Sequence, residues 1–184
     1  MARQILVTGG SRSGKSRLAE EKATILGGDS VLYMATGIAT DEDMEERIRL
    51  HKMRRNPNWG TFEGYRDLAQ EITETEYQTI LLDCVTVLIT NFLFEEERDF
   101  DELTKAEIAY LEEDILKEVQ SLMQAAKEAQ KDLIIVTNEV GMSVVSAYRL
   151  GRIFSDITGK VNQMIAAASD EVYLSVSGIP LQIK

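Results

Sequence analysis

One cysteine, one histidine and two prolines are all that 184 residues hold of these types. A lone Cys84 can close no internal disulfide and can seed no cysteine-based metal cluster, which fits a reducing cytoplasm. Pro57 and Pro180 leave long stretches unpunctuated, and no Gly/Ser-rich linker, repeat or low-complexity tract divides the chain. Positive charge is scarce: 20 Lys and Arg face 31 Asp and Glu, a net charge of −11. That is the wrong sign for a general nucleic-acid binder, which must neutralise phosphates. It leaves room for a local cationic pocket that takes an anionic small molecule. Also missing are an apolar run near the roughly 18 residues that cross a bilayer and a charged-then-apolar leader at Met1–Thr8. The expectation is a soluble, cytoplasmic protein without a membrane span or a nucleic-acid partner.

What is present is an ordinary globular composition, 44% hydrophobic and 28% charged, in a length that suits one domain over 1–184. Short β-branched runs alternate with longer amphipathic segments. Strands are expected at Ile5–Thr8, Val31–Ala35, Thr79–Asp83, Leu133–Thr137, Val172–Val176 and Leu181–Ile183. Helices are expected over about 15–26, 41–55 and 104–129, with helical segments through 168. Strands apolar throughout and separated by helices point to an α/β fold with a mostly parallel sheet covered on both faces. The last two strands are too close for a crossover helix and form an antiparallel edge hairpin around Ser177-Gly178. Between Glu95 and Glu118 stand eleven acids and three bases, the pattern of a solvated helix face.

Gly9-Gly10-Ser11-Arg12-Ser13-Gly14-Lys15-Ser16 fits G-x-x-x-x-G-K-[ST] at each fixed position, directly after a strand and directly before a helix. The glycines allow torsions and a close approach that a Cβ would block. Loop N–H groups and the helix N-terminus then surround phosphates. Lys15 would reach the β- and γ-phosphates, and the Ser16 hydroxyl would ligate Mg²⁺. Such a loop wants an acid at the end of a neighbouring strand. Asp83, closing Ile80-Leu81-Leu82-Asp83, has that form, with a turn residue as the alternative. Asn138 and Glu139 close another strand on the same sheet edge, as pocket residues or as turn caps.

His51 lies in a cationic helix, with Arg47, Arg54 and Arg55 on its face at helical spacing. Guanidiniums round an imidazole suit a polyphosphate, and an imidazole can carry a nucleotidyl group covalently. A spectator histidine on a basic helix end fits the residues equally well.

Together these segments resemble the bifunctional adenosylcobinamide kinase/adenosylcobinamide-phosphate guanylyltransferase family. The likeness rests on Ile5 through Arg17, Tyr33-Met34-Ala35-Thr36, His51-Lys52, Val136 through Met142 and the tail Asp170 through Ile179. It runs collinearly through essentially the whole chain. It implies a P-loop NTPase-like (RecA-like) sheet, parallel except at one edge, and a homotrimer. It implies phosphorylation of adenosylcobinamide with ATP or GTP. GMP transfer from GTP to adenosylcobinamide phosphate would follow, through a guanylylated His51. By the same resemblance, residues 9–16, the strand end Met34, Ala35 and Thr36, and Lys52, Met53, Arg54 and Arg55 contact the nucleotide. Glu63 and Asp83 match further acids of the nucleotide site. The rival readings are a P-loop small-molecule kinase without nucleotidyl transfer, and a regulatory nucleotide-binding ATPase.

Overall fold

The computed structural model describes residues 2–37, 56–142 and 144–184. The helix expected over 41–55 therefore lies outside the described residues, and His51, Lys52, Met53, Arg54 and Arg55 with it. The strands are β1 (Gln4–Gly9), β2 (Val31–Ala35), β3 (Gly60–Glu63), β4 (Thr79–Asp83), β5 (Asp132–Val136), β6 (Glu171–Val176) and β7 (Ile179–Gln182). The described helices are α1 (Lys15–Gly27), α2 (Leu68–Glu74), α3 (Val85–Phe94), α4 (Lys105–Glu128) and α5 (Arg149–Ala168).

All seven strands join one sheet in the order β3-β2-β4-β5-β1-β6-β7. Every neighbouring pair is parallel except β6–β7, which is antiparallel, as the short Ser177-Gly178 connection requires. The strand alternation explains why the central runs are apolar at every position. Leu6, Leu32, Met34, Ile80, Leu82, Leu133 and Ile135 belong to one core with residues of α2 to α5. Ile5, Val7, Val31, Tyr33, Ala35, Leu81, Ile134 and Val136 belong to a second core with Ala19 and Ala23 of α1. Burial on both faces selects unbroken Val, Ile and Leu, as parallel sheets do.

Three elements escaped the sequence reading: β3, α2 and α3. α3 is apolar on nearly every side, with Val85, Thr86, Leu88, Ile89, Phe92 and Leu93 all buried, so it carries no helical stripe. β3 and α2 are only 4 and 7 residues long. α4 starts where its chemistry dictates. Thr104 Oγ1 accepts from the Glu107 N–H at 3.3 Å, while Glu107 accepts from the Thr104 N–H at 2.8 Å, a reciprocal capping box. Leu111, Ile115, Val119 and Leu122 turn its inner face to the core. The acids of this region are partly engaged as well: Asp114 pairs with Arg66, and Glu112 with Lys160.

Register fixes what shares the carboxyl edge. Glu63 stands beside Ala35, Ala35 beside Asp83, Asp83 beside Val136, and Val136 beside Val7, two residues before Gly9. The row gathers the ends of five strands at the mouth of the Gly-rich loop.

Candidate active site

The loop leaves β1 at Gly9 and is held close to its neighbours. A Cβ on Gly9 would lie 2.4 Å from the Ser175 carbonyl oxygen and 2.6 Å from Ser13 Oγ. The Ser13 N–H donates to the Gly10 carbonyl at 3.3 Å, and Arg12 takes a φ of 55° to complete the turn. Gly14, at φ 91°, precedes α1 without a side-chain cap, and the first turn of α1 contains no acid. No acid of the helix's own first turn offsets its positive end, where orphan N–H groups favour an anion. Thr8 Oγ1 and Ser13 Oγ are buried in the same region without a hydrogen-bond partner among the described residues.

Lys15 is half-buried and donates from Nζ to the Gly10 carbonyl at 3.1 Å. Burial pushes its pKa below the ordinary lysine value, and the nearby Asp83 carboxylate opposes that shift. Lys15 opens α1 and Asp83 closes β4 on the same carboxyl edge of the sheet. Asp83 Oδ2 accepts from Tyr33 OH at 2.9 Å, and Oδ1 accepts no hydrogen bond from the described residues. Burial drives the Cys84 thiol pKa upward, which keeps it protonated and chemically quiet.

A buried polar lattice holds this edge in place. Thr36 Oγ1 donates to the Cys84 carbonyl at 2.7 Å and accepts from the Cys84 N–H at 2.9 Å. Asn91 Nδ2 donates to the Thr36 carbonyl at 2.6 Å, and Asn138 Nδ2 to Thr86 Oγ1, also at 2.6 Å. From α5, Asn162 accepts the Thr137 hydroxyl at 2.7 Å and donates to the Asn138 carbonyl at 3.1 Å. The Glu139 N–H donates to the Gly9 carbonyl at 3.1 Å, which ties the end of β5 to the start of the loop. Of the two roles open to Glu139, the turn cap is visible: Oε1 accepts the Gly141 N–H at 2.9 Å. Asn138 likewise spends its amide inside the lattice.

The sequence candidates are therefore not all placed alike. Residues 9–16, Asp83 and the strand end at Ala35 meet at one edge, and exposed Glu63 stands in the same row. Met34 and Thr36 are fully buried, Met34 in the core and Thr36 on Cys84, so their side chains turn away from the mouth. Thr86, Asn91 and Asn162 were not singled out from the sequence. Thr86 and Asn91 lie on α3 and Asn162 on α5, and no local spacing announces them. Among the described residues, no three His, Cys, Asp or Glu side chains gather into a metal cluster. No described helix is long and apolar enough to cross a membrane.

The family model described as cobinamide kinase / cobinamide phosphate guanyltransferase matches residues 5–183. The chain belongs to that family. Relatives agree along its length. The bifunctional adenosylcobalamin biosynthesis protein CobU of Salmonella typhimurium LT2 is 46% identical over 98% of this chain and 99% of its own. CobU of Escherichia coli K12 is 44% identical over the same shares. The bifunctional adenosylcobalamin biosynthesis protein CobP of Pseudomonas aeruginosa PAO1 is 35% identical over 97% of this chain and 96% of its own. A solved structure, flagellar accessory protein FlaH from Methanocaldococcus jannaschii, superposes with a TM-score of 0.49 at 16% identity, over 99% of this chain and 78% of its own. That likeness is too distant to bear on function. In this chain the Gly-rich loop stands at the positive end of α1, an environment that favours an anion.

Proposed function

We propose that this enzyme phosphorylates the aminopropanol hydroxyl of adenosylcobinamide with ATP or GTP and then converts the product to adenosylcobinamide-GDP with a second GTP. Full-length similarity to relatives named as bifunctional, in a chain whose phosphate loop is intact, is the observation that carries this reading. In the kinase step the substrate oxygen attacks the γ-phosphorus, the bond to the β-phosphate oxygen breaks, and nucleoside diphosphate and a proton leave. Lys15 would move from the Gly10 carbonyl to the β- and γ-phosphates, where its charge offsets what the transition state spreads over the oxygens. The loop N–H groups hold the leaving diphosphate.

Ser16 and Asp83 are the residues that would hold Mg²⁺. A hydroxyl and a carboxylate are hard oxygen donors suited to that ion, and two protein ligands plus phosphate oxygens are its usual setting. Asp83 keeps one oxygen clear of hydrogen bonds from the described residues, at the same sheet edge as the Gly-rich loop. When bound, the ion would neutralise charge on the phosphate oxygens.

In the second step a neutral His51 nitrogen attacks the α-phosphorus of GTP and pyrophosphate leaves. A phosphate oxygen of adenosylcobinamide phosphate then displaces the imidazole and completes the pyrophosphate bond. Arg47, Lys52, Arg54 and Arg55 would offset charge during both displacements. A homotrimer belongs to the same proposal, and sedimentation velocity tests it. The deciding experiment for the bifunctional reading is mass spectrometry of GTP-treated protein alongside product analysis of His51→Ala. A guanylyl adduct on His51, labile in acid and stable in base, is expected. The variant should keep most of its kinase activity and lose adenosylcobinamide-GDP formation. An unmodified His51 under turnover, or a variant that still makes the GDP product, refutes nucleotidyl transfer through this residue.

A further inference from the structure

The loop's geometry is set in part by residues more than a hundred and sixty positions away. The Ser13 carbonyl accepts two hydrogen bonds, both from the β6–β7 hairpin: Ser175 Oγ at 2.7 Å and the Gly178 N–H at 2.8 Å. Neither donor is incidental. Ser175 is 2% exposed and pairs in register with Gly9, so its hydroxyl has little freedom to turn elsewhere. Ser177 and Gly178, at φ 51° and 84°, form the two-residue turn between the paired residues Val176 and Ile179. The central N–H groups of such a turn are not consumed by the strand ladder, which leaves Gly178's donor for Ser13. The hairpin can seat this closely because residue 14 lacks a side chain. A Cβ there would meet Gly178 Cα at 3.2 Å and Ser175 Oγ at 3.7 Å.

A trans peptide points its C=O and N–H in opposite directions. With the Ser13 carbonyl drawn to the hairpin by two donors, the N–H of Gly14 is turned away from it, toward the cradle. That N–H has no acceptor among the described residues. We propose that Ser175 is a positioning residue of the phosphate loop: with the Gly178 N–H, it fixes the plane of the 13–14 peptide and so aims the Gly14 N–H at the β-phosphate of a bound nucleotide. The inference rests on the nucleotide-binding reading of the loop and assigns the C-terminal hairpin a part in it. Ser175 touches neither nucleotide nor acceptor; it acts through one peptide group.

The test measures binding of GTP, GDP and GMP to the full chain by calorimetry, for the parent, Ser175→Ala, Ser169→Ala and Lys15→Ala. Ser169 is the matched control, since its hydroxyl is also buried and also donates to a backbone carbonyl, that of Ile165, at 2.8 Å. Ser175→Ala should weaken GTP and GDP by roughly fivefold, the weight of one hydrogen bond, and leave GMP unchanged because it lacks the phosphate concerned. Ser169→Ala should lose a comparable amount of thermal stability and no nucleotide affinity. Should Ser175→Ala fail to fold, Ser175→Cys keeps the volume but offers only a weak S–H donor, and the same loss is expected of it. Parent-like GTP and GDP binding by the Ser175 variant, an equal loss for GMP, or the same loss in Ser169→Ala overturns the proposal. If Lys15→Ala loses GTP affinity while the Ser175 variant does not, only this inference falls. If Lys15→Ala also binds GTP undiminished, the phosphate-loop reading itself has failed.

Discussion

The three glycines of the phosphate loop should respond to alanine in a fixed order of severity. On Gly9 the new methyl would sit 2.4 Å from the Ser175 backbone oxygen and 2.6 Å from Ser13 Oγ. Ordinary contact between such atoms begins near 3.5 Å, so the methyl intrudes by about 1 Å. The oxygen belongs to β6, which is paired with β1 through Gly9 itself, and cannot step aside without breaking that register. Overpacking against backbone of this kind costs about 3 kcal/mol or more. For a chain of this length that is a fall in Tm of roughly 6–12 °C. Gly14→Ala meets a softer obstacle, Gly178 Cα at 3.2 Å, but must also hold φ 91°, at a further cost of about 1–2 kcal/mol. A Cβ on Gly10 meets nothing within 4 Å, so Gly10→Ala should stay within about 0.5 kcal/mol of the parent. Urea melts of the three variants, read by tryptophan fluorescence and circular dichroism, provide the comparison. A Gly9→Ala protein as stable as Gly10→Ala would refute the close β1–β6 packing on which the loop geometry depends.

Lys15 should lose its proton at a lower pH than an ordinary lysine, because burial depresses its pKa in the free enzyme. The alkaline limb of kcat/KM for the nucleotide should accordingly fall below the ordinary lysine range, and Lys15→Arg should push that limb upward; an unchanged limb in the arginine variant would remove Lys15 as its source. The same depression means that, below the folded pKa, the charged ammonium costs the native state free energy, and that cost fades as pH rises toward the unfolded value. Lys15→Met should therefore melt above the parent at pH 7 while losing kinase activity by several kcal/mol of transition-state stabilisation. Asp83→Asn should raise the Mg²⁺ concentration needed for half-maximal kinase activity much more than it weakens metal-free nucleotide binding. Unchanged metal dependence would leave Asp83 as the acceptor of the Tyr33 hydroxyl and no more.

Much of this architecture is written locally. β2 and β4 have the bounds their apolar runs predict, and β1 and α1 flank the Gly-rich motif as the strand-loop-helix pattern demands. What stayed hidden is nonlocal. α3 has no polar face because α4 and α5 cover it, so the sequence Val85–Phe94 carries no period to read. β3 is a short edge strand whose residues alternate only between half-buried and exposed, and Glu63 entered the site by resemblance rather than by pattern. The Thr36–Cys84–Thr86–Asn138 lattice and the Ser175–Ser13 bond join residues that only the folded sheet makes neighbours. Glu139 illustrates the limit of composition: an acid at a strand end on the ligand edge looks the same in sequence whether it faces a substrate or, as here, caps Gly141.

The strand order also sets a timetable for synthesis. β1 leaves the ribosome before every other strand of the sheet, yet its two partners are β5 and β6, whose residues emerge more than a hundred positions later. A nascent chain that has reached the end of α4 can already pair β2 with β3 and β4, but β1 then has neither flank, and the loop that follows it has no frame. Contacts of such long sequence separation are slow to form, and an apolar strand left waiting is exposed to wrong partners. The phosphate-binding loop, made well before the strands that frame it, is thus among the last parts of the sheet's edge to acquire its shape.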